Sequence, residues 1–300
     1  MTSRVAMAAS VLLFSGAARA DFGYQSRMEI IGGALLKSAG DAGFRARRPV
    51  AEHLIKGKRM AIVSGKHTTV INLENDTILE IDFAGKTYSS TPFTAIKEKL
   101  DRWLKGAAFA STARSGGAKR IGLLTAREHI VTMRRAAEGP PALARIFLDY
   151  WTMTPPGFRE MQDFHEQLAA KLGYAYAWGL TGIGMIQPEL LPGFEAAAKV
   201  LTESQEMPVI CTIRLGAAGT GDLAPPAETA EARAGIVSET LSRIGNLTHL
   251  KSEKPPADED PALLGEVMLE LGEFGNGPAD QSKFNVPAGF KEVKAAAPKP

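Results

Sequence analysis

The sequence predicts an α+β protein, a curved antiparallel sheet with amphipathic helices laid over it, and three observations carry that prediction. Apolar residues alternate with period two in several short runs. The reversals between those runs are too short for the crossovers that parallel strands require. Helix-period apolar stripes follow the runs in blocks, instead of alternating with single strands as in a βαβ protein.

Residues 1–20 read as a secretory signal. Arg4 gives a positive start, residues 5–14 are mostly apolar, and Ala18-Arg19-Ala20 has the small-x-small form of a signal-peptidase site. The apolar part is shorter than the ~20 residues a spanning helix needs, and no cysteine stands near the site to take a lipid. Cleavage after Ala20 therefore predicts a periplasmic or secreted chain with no transmembrane span after processing.

An opening strand is expected within residues 21–40, with Tyr24, Met28 and Ile30 on one side. The basic segment Arg45-Ala46-Arg47-Arg48 lacks the glycine-rich loop of a phosphate site and reads as a solvated loop. Thr69, Ile71 and Leu73 then share a face, Glu74-Asn75-Asp76 supplies turn chemistry, and Leu79, Ile81 and Phe83 resume the alternation. Ala84-Gly85-Lys86 makes a second reversal into Thr87-Tyr88-Ser89, which gives a meander. Thr91 is placed to cap a helix with Pro92 at its first position, and Phe93, Ile96, Leu100, Trp103 and Leu104 form its apolar stripe, ended by Gly106. Residues 111–119 read as loop.

Alternation returns over residues 121–135, with His129, Val131 and Met133 on one face, and again where Ile146, Leu148 and Tyr150 alternate with Phe147, Asp149 and Trp151. Asp149 is the candidate buried carboxylate. Phe158, Met161, Phe164, His165, Leu168 and Leu172 mark one helical face, and Leu190, Leu191, Phe194, Ala197, Ala198 and Leu201 another. The aromatic stretch Tyr174-Ala175-Tyr176-Ala177-Trp178 between them fits a core, a hinge or a pocket wall. Val209, Cys211, Ile213 and Leu215 point one way in the next strand, which makes Cys211 a small core residue. Residues 217–260 shift to Gly, Ala, Pro and Glu and read as a flexible insertion with a weak helix at Val237, Leu241 and Ile244. Residues 261–293 return to strand patterning, and 294–300 form a disordered tail.

Removing Arg4 and Arg19 from 35 Lys+Arg leaves 33, against 33 Asp+Glu, so the mature chain has no formal net charge. That balance argues against nucleic acid and against an anionic membrane surface as partners. Cys211 is the only cysteine, so stability rests on core burial and not on a disulfide. The histidines at 53, 67, 129, 165 and 249 are scattered, and no Gly-x-Ser-x-Gly, His-Glu-x-x-His or P-loop pattern occurs. No catalytic residue, metal-ligand set or cofactor is assigned, and the chain reads as a non-enzyme.

Several short pieces occur together in order: Ile55-Lys56-Gly57-Lys58-Arg59-Met60, Val70-Ile71-Asn72-Leu73, Lys86-Thr87-Tyr88 and Asp149-Tyr150-Trp151 before Pro156-Gly157-Phe158. Met207-Pro208-Val209, Ser282-Lys283-Phe284 and Val286-Pro287-Ala288-Gly289-Phe290-Lys291 follow. This set resembles an exported bacterial family of unknown function grouped with LolA-like folds. The resemblance implies a strongly curved, unclosed half-barrel over residues 21–216 whose concave apolar side is covered by helices. In the LolA and LolB carriers that side holds lipoprotein acyl chains. Ile121-Gly122-Leu123 stands where the relatives carry an Asn-Gly turn, and the insertion after Gly216 has no counterpart in the carriers. The carriers' lipoprotein cargo therefore does not transfer, and the expected partner is a lipid or another long apolar ligand, lipoprotein acyl chains being one form it could take.

The function expected from residues and resemblance together is non-catalytic binding of an apolar ligand in the half-barrel cavity. Phe93, Ile96, Leu100, Trp151, Phe158, Met161 and Phe164 are the candidate cavity or lid residues. The alternative is an envelope structural or interaction protein without a small-molecule ligand.

Overall fold

The computed structural model describes residues 21–32, 50–104, 109–121, 124–135, 145–174, 195, 205–216 and 263–294. The expected signal segment, the basic cluster at 45–48, the helix around 190–201 and the insertion at 217–260 lie outside the described residues. So do residues 175–178 of the aromatic stretch and the tail beyond Lys294.

Six strands open the chain: β1 (Phe22–Gly32), β2 (Val50–Lys56), β3 (Arg59–Ser64), β4 (His67–Asn72), β5 (Thr77–Asp82) and β6 (Thr87–Pro92). Helix α1 (Phe93–Leu104) leads to β7 (Phe109–Ile121), β8 (Leu124–Arg135) and β9 (Arg145–Met153). Helix α2 (Phe158–Leu172) precedes β10 (Met207–Gly216) and β11 (Leu263–Asn276), and a 3-10 turn at Gln281–Phe284 leads to β12 (Lys291–Glu292). All twelve strands join one sheet in the order β12-β6-β5-β4-β3-β2-β1-β11-β10-β9-β8-β7. Every neighbouring pair is antiparallel except β12 with β6.

The expected α+β half-barrel wrapped by helices is overturned. Strands hold 61% of the described residues, the sheet is largely flat as well as open, and α1 and α2 are the only two α-helices among those residues. The molecule is mostly β. Part of the reason lies in β7, expected as a loop at 111–119 and in fact a strand of 13 residues. From Ala110 to Arg120 its side chains are exposed except that of Lys119, which is half-buried, so no buried face imposes a period on the sequence.

The meander from β2 to β6 follows its local chemistry. Asn72 Oδ1 accepts from the Glu74 and Asn75 N–H groups, and Asp82 Oδ1 from that of Ala84, so each side chain closes the turn after its own strand. Those backbone donors at Gly85 and Ala84 hold the Asp82 carboxyl below its ordinary range. Pro92 closes β6 instead of opening the helix, and the Phe93 N–H donates to the Asp76 carbonyl at 2.8 Å. The start of α1 is thereby tied to the β4–β5 turn.

Gly157 precedes α2 with φ of 81°, and a Cβ there would run into the Asn276 side chain, so the helix start sits hard against the end of β11. Both sides of the sheet are clothed over β2–β6. Helix α2 packs on β1 and β2 from one side, with α1 against it. On the other, Phe284 buries against Ala61, Val70 and Ile81, flanked by Val286 and Phe290, and the Arg59 guanidinium lies 5.4 Å from the Phe284 ring centroid. The chain after β11 is thus a strap across that face, ending where β12 pairs with β6.

Candidate functional site

The face under the helices, here called the inner face, is built from two files of cross-strand neighbours. In the first, Phe22 lies beside Ile55, Ile55 beside Met60, Met60 beside Ile71 and Ile71 beside Ile78, from β1 out to β5. In the second, Met28 lies beside Leu269, Leu269 beside Cys211, Cys211 beside Tyr150 and Tyr150 beside His129, from β1 out to β8. Both files belong to one continuous apolar cluster, to which α2 adds Phe158, Met161, Phe164, Leu168 and Leu172. The 3.6-residue spacing of those helical residues is what brings them to one side.

Of the residues expected to line a cavity or lid, Phe93, Leu100, Phe158, Met161 and Phe164 are buried in this cluster, and Ile96 packs against it. Trp151 does not join them. It alternates with Tyr150 along β9 and packs instead with Ala126, Met153, Val209 and Ile210. Asp149, the expected buried carboxylate, is half-buried and alternates with Tyr150 in the same way. Two carboxylates that no sequence pattern marked are buried more deeply, Glu266 facing Arg214 at 3.5 Å and Glu206.

Polar groups interrupt the apolar layer at two places. Tyr24 and His53 are cross-strand partners with rings stacked at 4.4 Å, and His53 Nε2 lies 2.8 Å from the Ser26 hydroxyl. The Tyr24 hydroxyl and His53 Nδ1 are buried without a hydrogen-bond partner among the described residues. Burial, with His165 nearby, lowers the His53 pKa to about 3, and burial alone takes His165 to about 3. Both imidazoles are neutral at ordinary pH.

The second place is on β8 and β9, where His129 and Tyr150 repeat the arrangement with rings stacked at 5.2 Å. The Tyr150 hydroxyl is again buried without a hydrogen-bond partner among the described residues, and burial raises its pKa. Beside it, the Thr152 hydroxyl donates to Glu206, Arg127 pairs with the same carboxylate, and His129 Nε2 lies 3.1 Å from Thr152 Oγ1. A hydroxyl has one proton, and here Glu206 takes it, so His129 must donate its Nε2–H to Thr152. Burial and the neighbouring Arg127 depress the His129 pKa, which suits that neutral tautomer. A histidine, a hydroxyl and a carboxylate in series invite a hydrolase reading, but Thr152 is fully buried, so no substrate carbonyl reaches its oxygen. The chain of donors fixes β8, β9 and the start of β10 to one another.

Cys211 is buried in the second file, and burial together with Asp149 pushes its thiol up to about 12, which makes it inert as a nucleophile. Among the described residues no helix is long and apolar enough to cross a membrane, and no three His, Cys, Asp or Glu side chains are grouped to hold a metal ion.

No protein-family model matches the chain, and no curated protein matches it significantly. Among solved structures it is similar to PNGF-II in a C2 crystal form, with a TM-score of 0.33 and 9% identity over 93% of this chain and 31% of that one. For PNGF-II in a P21 form the TM-score is 0.33 and the identity 8%, over 92% and 32%. The chain spans about a third of the length of PNGF-II, and a likeness of this size carries no argument about fold or activity.

Proposed function

We propose that this is a non-catalytic periplasmic protein that binds a lipid or another apolar ligand between α1, α2 and the inner face of the sheet. The observation that carries the reading is the pair of buried hydroxyls at Tyr24 and Tyr150, without hydrogen-bond partners among the described residues in a largely apolar layer. A buried polar group left unsatisfied costs about 1–3 kcal/mol, and an amphiphile whose polar end meets such a hydroxyl removes that cost. The same ligand gains on the order of 25 cal/mol for each Å² of its apolar surface taken from water. Phe93, Ile96, Leu100, Phe158, Met161 and Phe164 are the side chains it would part.

Native mass spectrometry and solvent extraction of the mature protein test this directly. A co-purifying lipid, or saturable uptake of cis-parinaric acid, supports binding; a ligand-free protein that takes up no probe removes it. Tyr24→Phe sharpens the test, because loss of an unpartnered hydroxyl leaves folding stability unchanged or raised. Uptake weaker by about five- to thirtyfold, as one lost hydrogen bond of about 1–2 kcal/mol implies, marks Tyr24 as the polar anchor.

A second reading, an envelope interaction protein, is favoured by one separate feature, the long exposed strand at the sheet's far edge.

A further inference from the structure

The two edges of the sheet differ. At one, β6 is paired by β12 and ends in Pro92, which has no N–H to offer. At the other, β7 runs for 13 residues and, among the described residues, pairs only with β8. Its ladder is unbroken from Phe109 to Ser115, before a bulge at Gly116 and Gly117 where the Gly117 N–H donates to Glu128. A seven-residue antiparallel edge leaves about half of its N–H and C=O groups pointing outward. Small side chains at Ala110, Ser111, Thr112 and Ala113 place no bulk in front of them.

Charge is segregated too, although the whole chain carries a formal net charge of only +2. Strands β7, β8 and β9 carry seven Arg and Lys against two carboxylates, while β2 to β6 carry two against three. Arg114, Lys119 and Arg120 on β7, with Arg134 on β8, make no ion pair or hydrogen bond among the described residues, and β7 has no acidic residue. Positive charges and a bulge keep such an edge from pairing at random; a negatively charged strand is the complement that this guard admits.

We propose that β7 is a docking edge for an acidic, extended segment of a partner protein, which joins the sheet as a thirteenth strand through backbone hydrogen bonds along residues 109–115. A second copy of the chain is a poor occupant, because pairing β7 with β7 brings together two strands that each carry Arg114, Lys119 and Arg120 and no carboxylate. An anionic membrane is a poor one as well: between Ala110 and Ala118 the strand has no large apolar side chain to insert.

The test uses the mature chain with a fluorescein-labelled decapeptide of alternating Glu and Val, its Lys-Val counterpart, and vesicles containing phosphatidylglycerol. Anisotropy should show the Glu-Val peptide binding at least tenfold tighter than the Lys-Val peptide, and more weakly as NaCl rises. Hydrogen exchange should gain protection at residues 110–115. Combined Arg114→Glu, Lys119→Glu and Arg120→Glu substitution, all at solvated positions, should cost at least tenfold and reverse the peptide preference. Of Thr112→Pro and Ala113→Pro, the one whose N–H faces outward should abolish binding with an unchanged circular dichroism spectrum. Equal binding of both peptides, binding without protection on β7, or sedimentation with vesicles and no peptide binding each overturns the proposal.

Discussion

Burial sets the behaviour of His53 and His165. In the unfolded chain each imidazole takes a proton near 6.5, whereas in the fold both are held to about 3. Between those values the unfolded state binds more protons than the native one, so stability is complete above about pH 6.5 and falls as pH drops toward 3. Each histidine accounts for about 2 kcal/mol of loss at pH 5. Urea denaturation at pH 8 and pH 5 should show a gap that narrows by about that amount in His165→Leu. Cys211 gives a second outcome at this scale: it should resist DTNB in the native protein and react on addition of urea, and rapid native reaction would contradict its burial. Alternation in sequence was enough to place Cys211 in the core. It was not enough for His53, whose neighbours Tyr24 and Ser26 come from another strand and are known only once the register is.

Elements whose burial has a simple period were legible. The hairpin around 74–76, the helical face from Phe158 to Leu172 and the strand at 207–216 lie where their periodicity put them, except that a bulge between Pro208 and Ile210 sends Val209 to Ile210, Met153 and Trp151 and away from Cys211 and Ile213, with which it was expected to share a face. Strand β7 was not, because exposure on both faces removes the pattern, and the Thr152–Glu206 network was not, because its members stand up to 79 residues apart. The strap was read as strand patterning alone, yet its value lies in packing. Phe284 is 2% exposed, so Phe284→Ala should cost about 3–5 kcal/mol, seen as a lower urea midpoint at an unchanged slope. Arg59→Gln should cost less, about 0.5–1 kcal/mol, since only the contact between cation and ring is lost.

Across the whole molecule, protection is graded. Strand β10 lies between β9 and β11 and is buried along almost all its length, whereas β7 stands at the rim with its side chains in solvent. Amide exchange should therefore be slowest in β10, near the global unfolding limit, and fastest in β7, with β8 and β9 between. The sheet as one body was beyond sequence reading, since β1 meets β11 across some 240 residues and no local signal announces that pairing. The pairing of β12 with β6 has an effect on how many molecules can associate. With Lys291 and Glu292 seated beside Thr87 and Tyr88 and with Pro92 offering no N–H, a neighbour's β7 meets only a short stretch of β6 there, and strand-by-strand growth from one molecule to the next is hindered. A strand taken up at β7, as proposed, would then enlarge one molecule without starting a fibril.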